Sequence, residues 1–165
     1  MLVIGIDPGT ASTGFGLVRE DSAGNLSAVE YGVIQTPTGQ SMPDRLLSLY
    51  QDIQQLLTLH RPETSAVEKL FFQRNVRTAM AVGQGRGVVL LALAEAGIPV
   101  VEYAPSEVKQ AISGYGSADK KQVQEMVKIL LNLKTLPQPD DAADALALAI
   151  CCLHSRRMQA LVEEG

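Results

Sequence analysis

Cysteine and histidine are scarce in this chain, two of each among 165 residues. Cys151 and Cys152 are adjacent within an apolar run. Neighbours on one helix point in different directions, so they do not make a metal pair and read as buried reduced thiols. His60 and His154 are isolated, and neither falls in a ligand spacing such as HExxH. His60 precedes Arg61-Pro62, where a helix should stop, and reads as a C-terminal helix residue. No charge-free apolar run reaches the roughly 18 residues of a membrane span. The start, MLVIGID, has no basic segment and no small-residue cleavage site, so no signal peptide is read and a cytoplasmic location is expected. There is no internal repeat and no low-complexity linker. Positive charge is in deficit: 14 Lys and Arg against 18 Asp and Glu give a net charge of −4. Taken alone, that balance argues mildly against a nucleic-acid partner, but placement of charge matters more than its sum.

With 46% hydrophobic and 19% charged residues, the chain has the balance of a soluble globular protein. Its length suits one domain with its own core, expected over residues 1–158 with a tail at 159–165. Val3–Ile6, Thr13–Val18 and Leu26–Gln35 read as strands joined by short turns, hence an antiparallel meander. Ser41 and Asp44 open a helix striped by Leu46, Leu49, Ile53 and Leu56. Thr64–Leu70 predicts a short strand, residues 76–96 a long helix ending at Gly97, and IPVVEYA a fifth strand. Helices at Ser106–Ile112 and Asp119–Asn132 flank the loop SGYGSAD, and LPQP precedes a last helix from Asp140 to about Met158. Three strands, helix, strand, helix, strand and then helices make an α/β fold with a mixed sheet of about five strands.

The first strand ends in LVIGIDPGTASTGFG, which delivers Asp7 into a run of glycines. Gly9 and Gly14 have the spacing of a phosphate loop, but Phe15 and Gly16 stand where Lys and Ser/Thr are required. The stretch also resembles, locally, the phosphate hairpin of actin-like sugar kinases, whose two lobes 165 residues cannot hold. A third reading is that Gly14 and Gly16 leave a sheet face bare beside Asp7, which lets something large and backbone-like approach the carboxylate. Glu68 ends another apolar strand, in AVEKLFF. In PQPDDAADALALAICCL, Asp141 and Asp144 share a helix face at i, i+3. Asp140 or Asp141 could serve the helix start, but Asp144 is a turn further in, where burial without a cation is costly. If Asp7, Glu68, Asp141 and Asp144 converge, the all-oxygen set suits Mg²⁺ or Mn²⁺ rather than zinc. Two such ions could clamp the attacking and leaving oxygens of a phosphodiester.

IGIDPGTASTGFG, VEKLFFQRN, GQGRGV, PSEVKQAISGYGSADKKQVQEMV and DDAADALALAI together resemble the RuvC family of bacterial Holliday junction resolvases, in order from about Leu2 to His154. The resemblance implies a ribonuclease H-like fold, with helices on both faces of the sheet. It further implies a homodimer that cuts four-way DNA junctions symmetrically in recombination and repair. The branch-migration proteins RuvA and RuvB are candidate partners. It places two Mg²⁺ ions per site on Asp7, Glu68, Asp141 and Asp144, with Asp140 the alternative to Asp141. It puts a stacking or wedging ring at Phe71, with neighbouring Phe72 a second candidate, and DNA contacts at Lys109 and Lys120. Arg74, Arg77 and Lys121 add local positive charge nearby. Ser117 is a candidate cap for the helix carrying Lys120 and Lys121, whose start would be a phosphate site. Gly83 and Gly87, one turn apart, would let another backbone approach, and the resemblance makes their helix the dimer interface. A junction-binding dimer that does not cut is the competing class, and the full set of four acids disfavours it.

Overall fold

The structure is a computed structural model that describes residues 1–9, 11–70 and 76–163. Phe71, Phe72 and Arg74 lie outside the described residues. Five strands form one sheet: β1 (Leu2–Asp7), β2 (Ser12–Glu20), β3 (Leu26–Gln35), β4 (Thr64–Glu68) and β5 (Val100–Tyr103), in the spatial order β3-β2-β1-β4-β5. The first three are the expected antiparallel meander, and β4 and β5 add in parallel on the other side of β1. A parallel neighbour needs a crossover, and α1 (Met42–His60) and α2 (Val76–Glu95) supply the two. Then follow α3 (Pro105–Ser113), α4 (Lys120–Leu130) and α5 (Asp140–Glu163).

Strand periodicity divides the core into two layers. Ile4, Ile6, Phe15, Leu17 and Val67 point to one face and pack with Leu49, Ile53, Val89 and Leu93 of α1 and α2. Val3, Val18 and Ala66 point to the other, against α3, α4 and the buried run Leu146–Leu153 of α5. The sheet is therefore covered on both sides, and β1 sits at its centre, apolar on both faces. Among the described residues no helix is long and apolar enough to cross a membrane.

The helix ends show their local causes. Ser41 caps α1 by accepting from the Asp44 N–H at 3.3 Å. His60 is the last residue of α1, and its Nε2 lies 2.7 Å from Glu30 Oε2, tying α1 to β3. Gly97, just past α2, takes φ +68°. The cap of α4 is Asp119 rather than Ser117: its carboxylate accepts from the Gln122 N–H, and the Gln122 side chain accepts from the Asp119 N–H, each at 2.9 Å. The Asp119 carboxylate thus occupies one of the backbone donors at the start of the helix that carries Lys120 and Lys121. The last helix runs five residues beyond Met158, to Glu163, and its outer turns are exposed.

One expectation is overturned. The glycine face beside Asp7 is not bare: α5 lies directly on it. A Cβ at Gly14 would fall 2.0 Å from the Asp141 carbonyl oxygen, one at Gly16 2.8 Å from the Leu146 nitrogen, and one at Gly5 1.9 Å from the Ala145 oxygen. The large, backbone-like object that these glycines admit is a helix of the same chain. No residue with a side chain fits there while α5 keeps its place.

Candidate active site

Asp7 pairs with Gly14 across the β1–β2 ladder, and β1 runs beside β4 in the register Gly5–Ala66, Ile6–Val67. Continuing that register sets Asp7 beside Glu68, on the same face of adjacent strands. That face is the one α5 covers. Because α5 starts over Gly14, its first two turns bring Asp141 and Asp144 down onto Asp7. Oxygens of Asp7, Asp141 and Asp144 lie within 4.8 Å of one another. Glu68 stands outside this triad, but near enough for its charge to act on Asp7. Asp140 is turned elsewhere: it accepts from Gln124 Nε2 at 3.0 Å and pairs with Lys120 at 3.4 Å. Of the acidic doublet, Asp141 is the member that geometry sets in the cluster.

Electrostatics mark the cluster as one that lacks enough counter-charge. The Asp7 carboxyl is pushed up from its ordinary 3.8 to about 7, first by burial, then by the charges of Glu68, Asp144 and Asp141. Burial and the charge of Asp144 raise Glu68 as well. Burial also raises Asp144, although Lys120 opposes it, with its ammonium 3.3 Å from Asp144 Oδ2. Burial alone would lower Lys120, but Asp144 and Asp140 outweigh it and the net shift is upward. Lys120 is thus a cation that partly offsets a half-buried Asp144.

Side chains around the cluster extend the site. A cleft of about 230 Å³ is lined by Glu68, Val108, Lys109, Lys120, Val123 and Asp144. Lys109 and Lys120 therefore stand in the same cleft as two of the acids. Lys121 lines a separate groove with Tyr115 and Glu125. Arg77 is exposed on the first turn of α2. Gly83 is half-buried, with Leu70 the nearest group to a Cβ there at 3.8 Å, and Gly87 is exposed with nothing within 4 Å. The buried glycine of α2 is Gly85, where a Cβ would fall 3.3 Å from the Gly9 oxygen.

Three supporting residues escaped sequence reasoning. Ser12 Oγ donates to Asp141 Oδ2 at 2.8 Å. Arg86 donates to the Glu68 carbonyl at 3.4 Å and pairs with Glu102, fixing the end of β4. Gln124, buried in α4, holds Asp140. Only Ser12 carried a signal: alternation along β2 puts it in one file with Gly14 and Gly16.

The donor set fits a hard divalent cation. It is all oxygen, three carboxylates already close together, and Asp7 holds its proton to about pH 7 without a cation. A mixed sheet flanked by helices, with carboxylates gathered at the ends of its central strands, defines a ribonuclease H-like nuclease. The family model described as crossover junction endodeoxyribonuclease RuvC matches residues 3–152. The protein of that description from Syntrophomonas wolfei is 55% identical over 165 residues, covering 100% of this chain and 95% of its own. The Thermus thermophilus RuvC structure superposes with a TM-score of 0.89 at 38% identity, covering 96% of this chain and 97% of that one. The T. thermophilus RuvC structure in complex with Holliday junction substrate gives 0.88 at 37% identity, covering 96% of each. The chain belongs to the RuvC family of crossover junction endodeoxyribonucleases.

Proposed function

We propose that this endonuclease resolves four-way DNA junctions by hydrolysing phosphodiesters at the carboxylate cluster, with two Mg²⁺ or Mn²⁺ ions held by Asp7, Glu68, Asp141 and Asp144. The observation that carries this reading is the convergence of Asp7, Asp141 and Asp144, from opposite ends of the chain, on one point. Asp7 is central in the cluster and acted on by the charges of Glu68, Asp144 and Asp141, and together these four carboxylates would hold the ions. When bound, the ions supply activation of the attacking water and stabilisation of charge on the departing 3′ oxygen. Lys109 and Lys120 receive the phosphate backbone in the cleft beside Glu68 and Asp144. Phe71 or Phe72 as the wedge, and phosphate contacts by Arg74, Arg77 and Lys121, belong to the proposal on the resemblance and on local charge.

The working unit is a homodimer joined through α2, a single nuclease domain (1–158) per subunit. Val76, Met80 and Leu91 of α2 are 75%, 63% and 61% exposed, and they share a side with Gly87. An exposed apolar file at helical spacing supports a partner helix there. Two sites related by a two-fold axis suit symmetric nicks in a two-fold junction. Partnership with RuvA and RuvB and a cytoplasmic location rest on family membership alone.

The test is a nicking assay on a synthetic four-way junction with Mg²⁺, read on both strand pairs. Paired, symmetric nicks that vanish with chelator are expected. Binding without nicks would overturn the proposal in favour of a structural junction-binding dimer.

A further inference from the structure

The hydrogen bond from Ser12 Oγ to Asp141 Oδ2, 2.8 Å long, has no part in the chemistry described so far. Ser12 opens β2 on the side that faces α5, in the file continued by Gly14 and Gly16. In that file it is the first side chain, where the glycines leave only backbone. Its own backbone is well fixed: Ser12 is in register with Gln35, and the Thr36 N–H donates to the Ala11 carbonyl at 3.1 Å. Asp141 is held on its other side by the contact of its carbonyl with Gly14. The helix backbone is therefore anchored. The carboxylate still has two side-chain torsions to settle, and the Ser12 hydroxyl is the described group that settles them.

We infer that Ser12 is a positioning residue, whose hydroxyl holds the Asp141 carboxylate in the orientation that presents an oxygen to the Asp7–Asp144 pair. A divalent cation then meets oxygens already in place, rather than ordering a free carboxylate against the repulsion of its neighbours. One hydroxyl donates one proton, so the second oxygen of Asp141 stays open to a cation. Hydrogen bonds of this kind to metal ligands typically carry 10–100-fold in affinity or activity. The inference rests on the reading of Asp141 as a ligand. A hydroxyl that served only to staple β2 to α5 would alter stability and leave metal affinity alone.

The experiment measures Mn²⁺ affinity of the full-length dimer by calorimetry and by electron paramagnetic resonance. Wild type is compared with Ser12→Ala, Ser12→Thr, Ser12→Val and Asp141→Asn. Thr and Val have nearly the same shape and differ by the hydroxyl, so that pair isolates the hydrogen bond even if Ser12→Ala folds poorly. Ser12→Val and Ser12→Ala are expected to bind Mn²⁺ about tenfold more weakly, and Ser12→Thr within about twofold of wild type. The metal concentration for half-maximal cleavage should move by the same factor, with the rate restored at saturating metal. Equal affinities for Ser12→Thr and Ser12→Val, with Asp141→Asn weakened, would overturn the role of Ser12 and leave the ligand reading standing. Wild-type affinity in Asp141→Asn would overturn the ligand reading, and the inference with it.

Discussion

At Asp7 the fold gives up electrostatic stability. It lies at the end of the central strand, against α5, with three acids acting on it. Asp7→Asn removes the charge and keeps the shape. The variant should bind a four-way junction within about twofold of wild type in a gel-shift assay, and cut at least a hundredfold more slowly. A near wild-type cutting rate would remove Asp7 from the site. The raised pKa has a stability consequence whose sign can be worked out. Below about pH 4 Asp7 is protonated in folded and unfolded chains alike, and contributes nothing. Between about pH 4 and 7 the unfolded chain loses the proton and the folded chain keeps it, so stability falls as pH rises; above about 7 the loss is complete. A rise from 3.8 to about 7 corresponds to about 4 kcal/mol at most. Glu68 and Asp144 are shifted in the same direction and add to the trend. The metal-free protein should therefore melt lower at pH 8 than at pH 5, by differential scanning calorimetry, and Asp7→Asn should flatten that dependence. Added Mg²⁺ should raise the melting temperature more at pH 8 than at pH 5, because a cation binds the ionised acids.

At the scale of the element, α5 does two jobs with one surface. Its buried run from Ala145 to Leu153 fills the core over β1 and β2, and its first two turns bring two acids to Asp7. Both jobs depend on how closely the helix lies on the sheet, and the glycine file sets that distance. Gly14→Ala would place a methyl 2.0 Å from the Asp141 carbonyl oxygen, backbone against backbone, so the start of α5 must move. We expect a loss of about 3 kcal/mol in a chemical denaturation curve, at the upper end for added core volume. Cleavage should fall by at least tenfold even where the protein remains folded, since Asp141 and Asp144 ride on the displaced turn. Unchanged cleavage would show that the site tolerates a shift of α5. The elements themselves were legible, because their signals are local: alternation for strands, apolar stripes and caps for helices. The cap of α4 was misplaced because Ser117 and Asp119 are both good capping residues; the Gln122 side chain, three residues on, decided for Asp119 by completing a reciprocal pair.

At the scale of the whole molecule, a net charge of −4 coexists with a site built for a polyanion. Lys109 and Lys120 stand in the cleft with Glu68 and Asp144, and the cations the acids would hold reverse the local sign. The sum of charges is a poor guide because a polyanion responds to the charge of the face it approaches, not to the average. The exposed apolar file on α2 makes a separate prediction about assembly. Leu91→Glu puts a charge on that file, at a position 61% exposed in the monomer. The monomer fold should be unaffected within about 0.5 kcal/mol, as for an ordinary surface change. Sedimentation should show a shift from dimer to monomer, with paired nicks replaced by single ones. A dimer that persists would move the interface away from α2.

The order of strands and helices and a short list of candidate acids, with Asp140 and Asp141 as alternatives, were legible in the sequence. Periodicity, caps and unpartnered carboxylates at the ends of apolar strands are properties of short stretches, readable one at a time. Tertiary structure decided what those stretches meet. The glycines signalled room for something large and backbone-like, and packing filled that room with α5. Asp140 and Asp141 are adjacent and chemically alike, and the seating of α5 on Gly14 turned one toward Asp7 and the other toward Gln124 and Lys120. Ser12 became a partner of Asp141 across 129 positions of chain. A contact of that kind has no local signal, because it exists only once two distant segments share one surface.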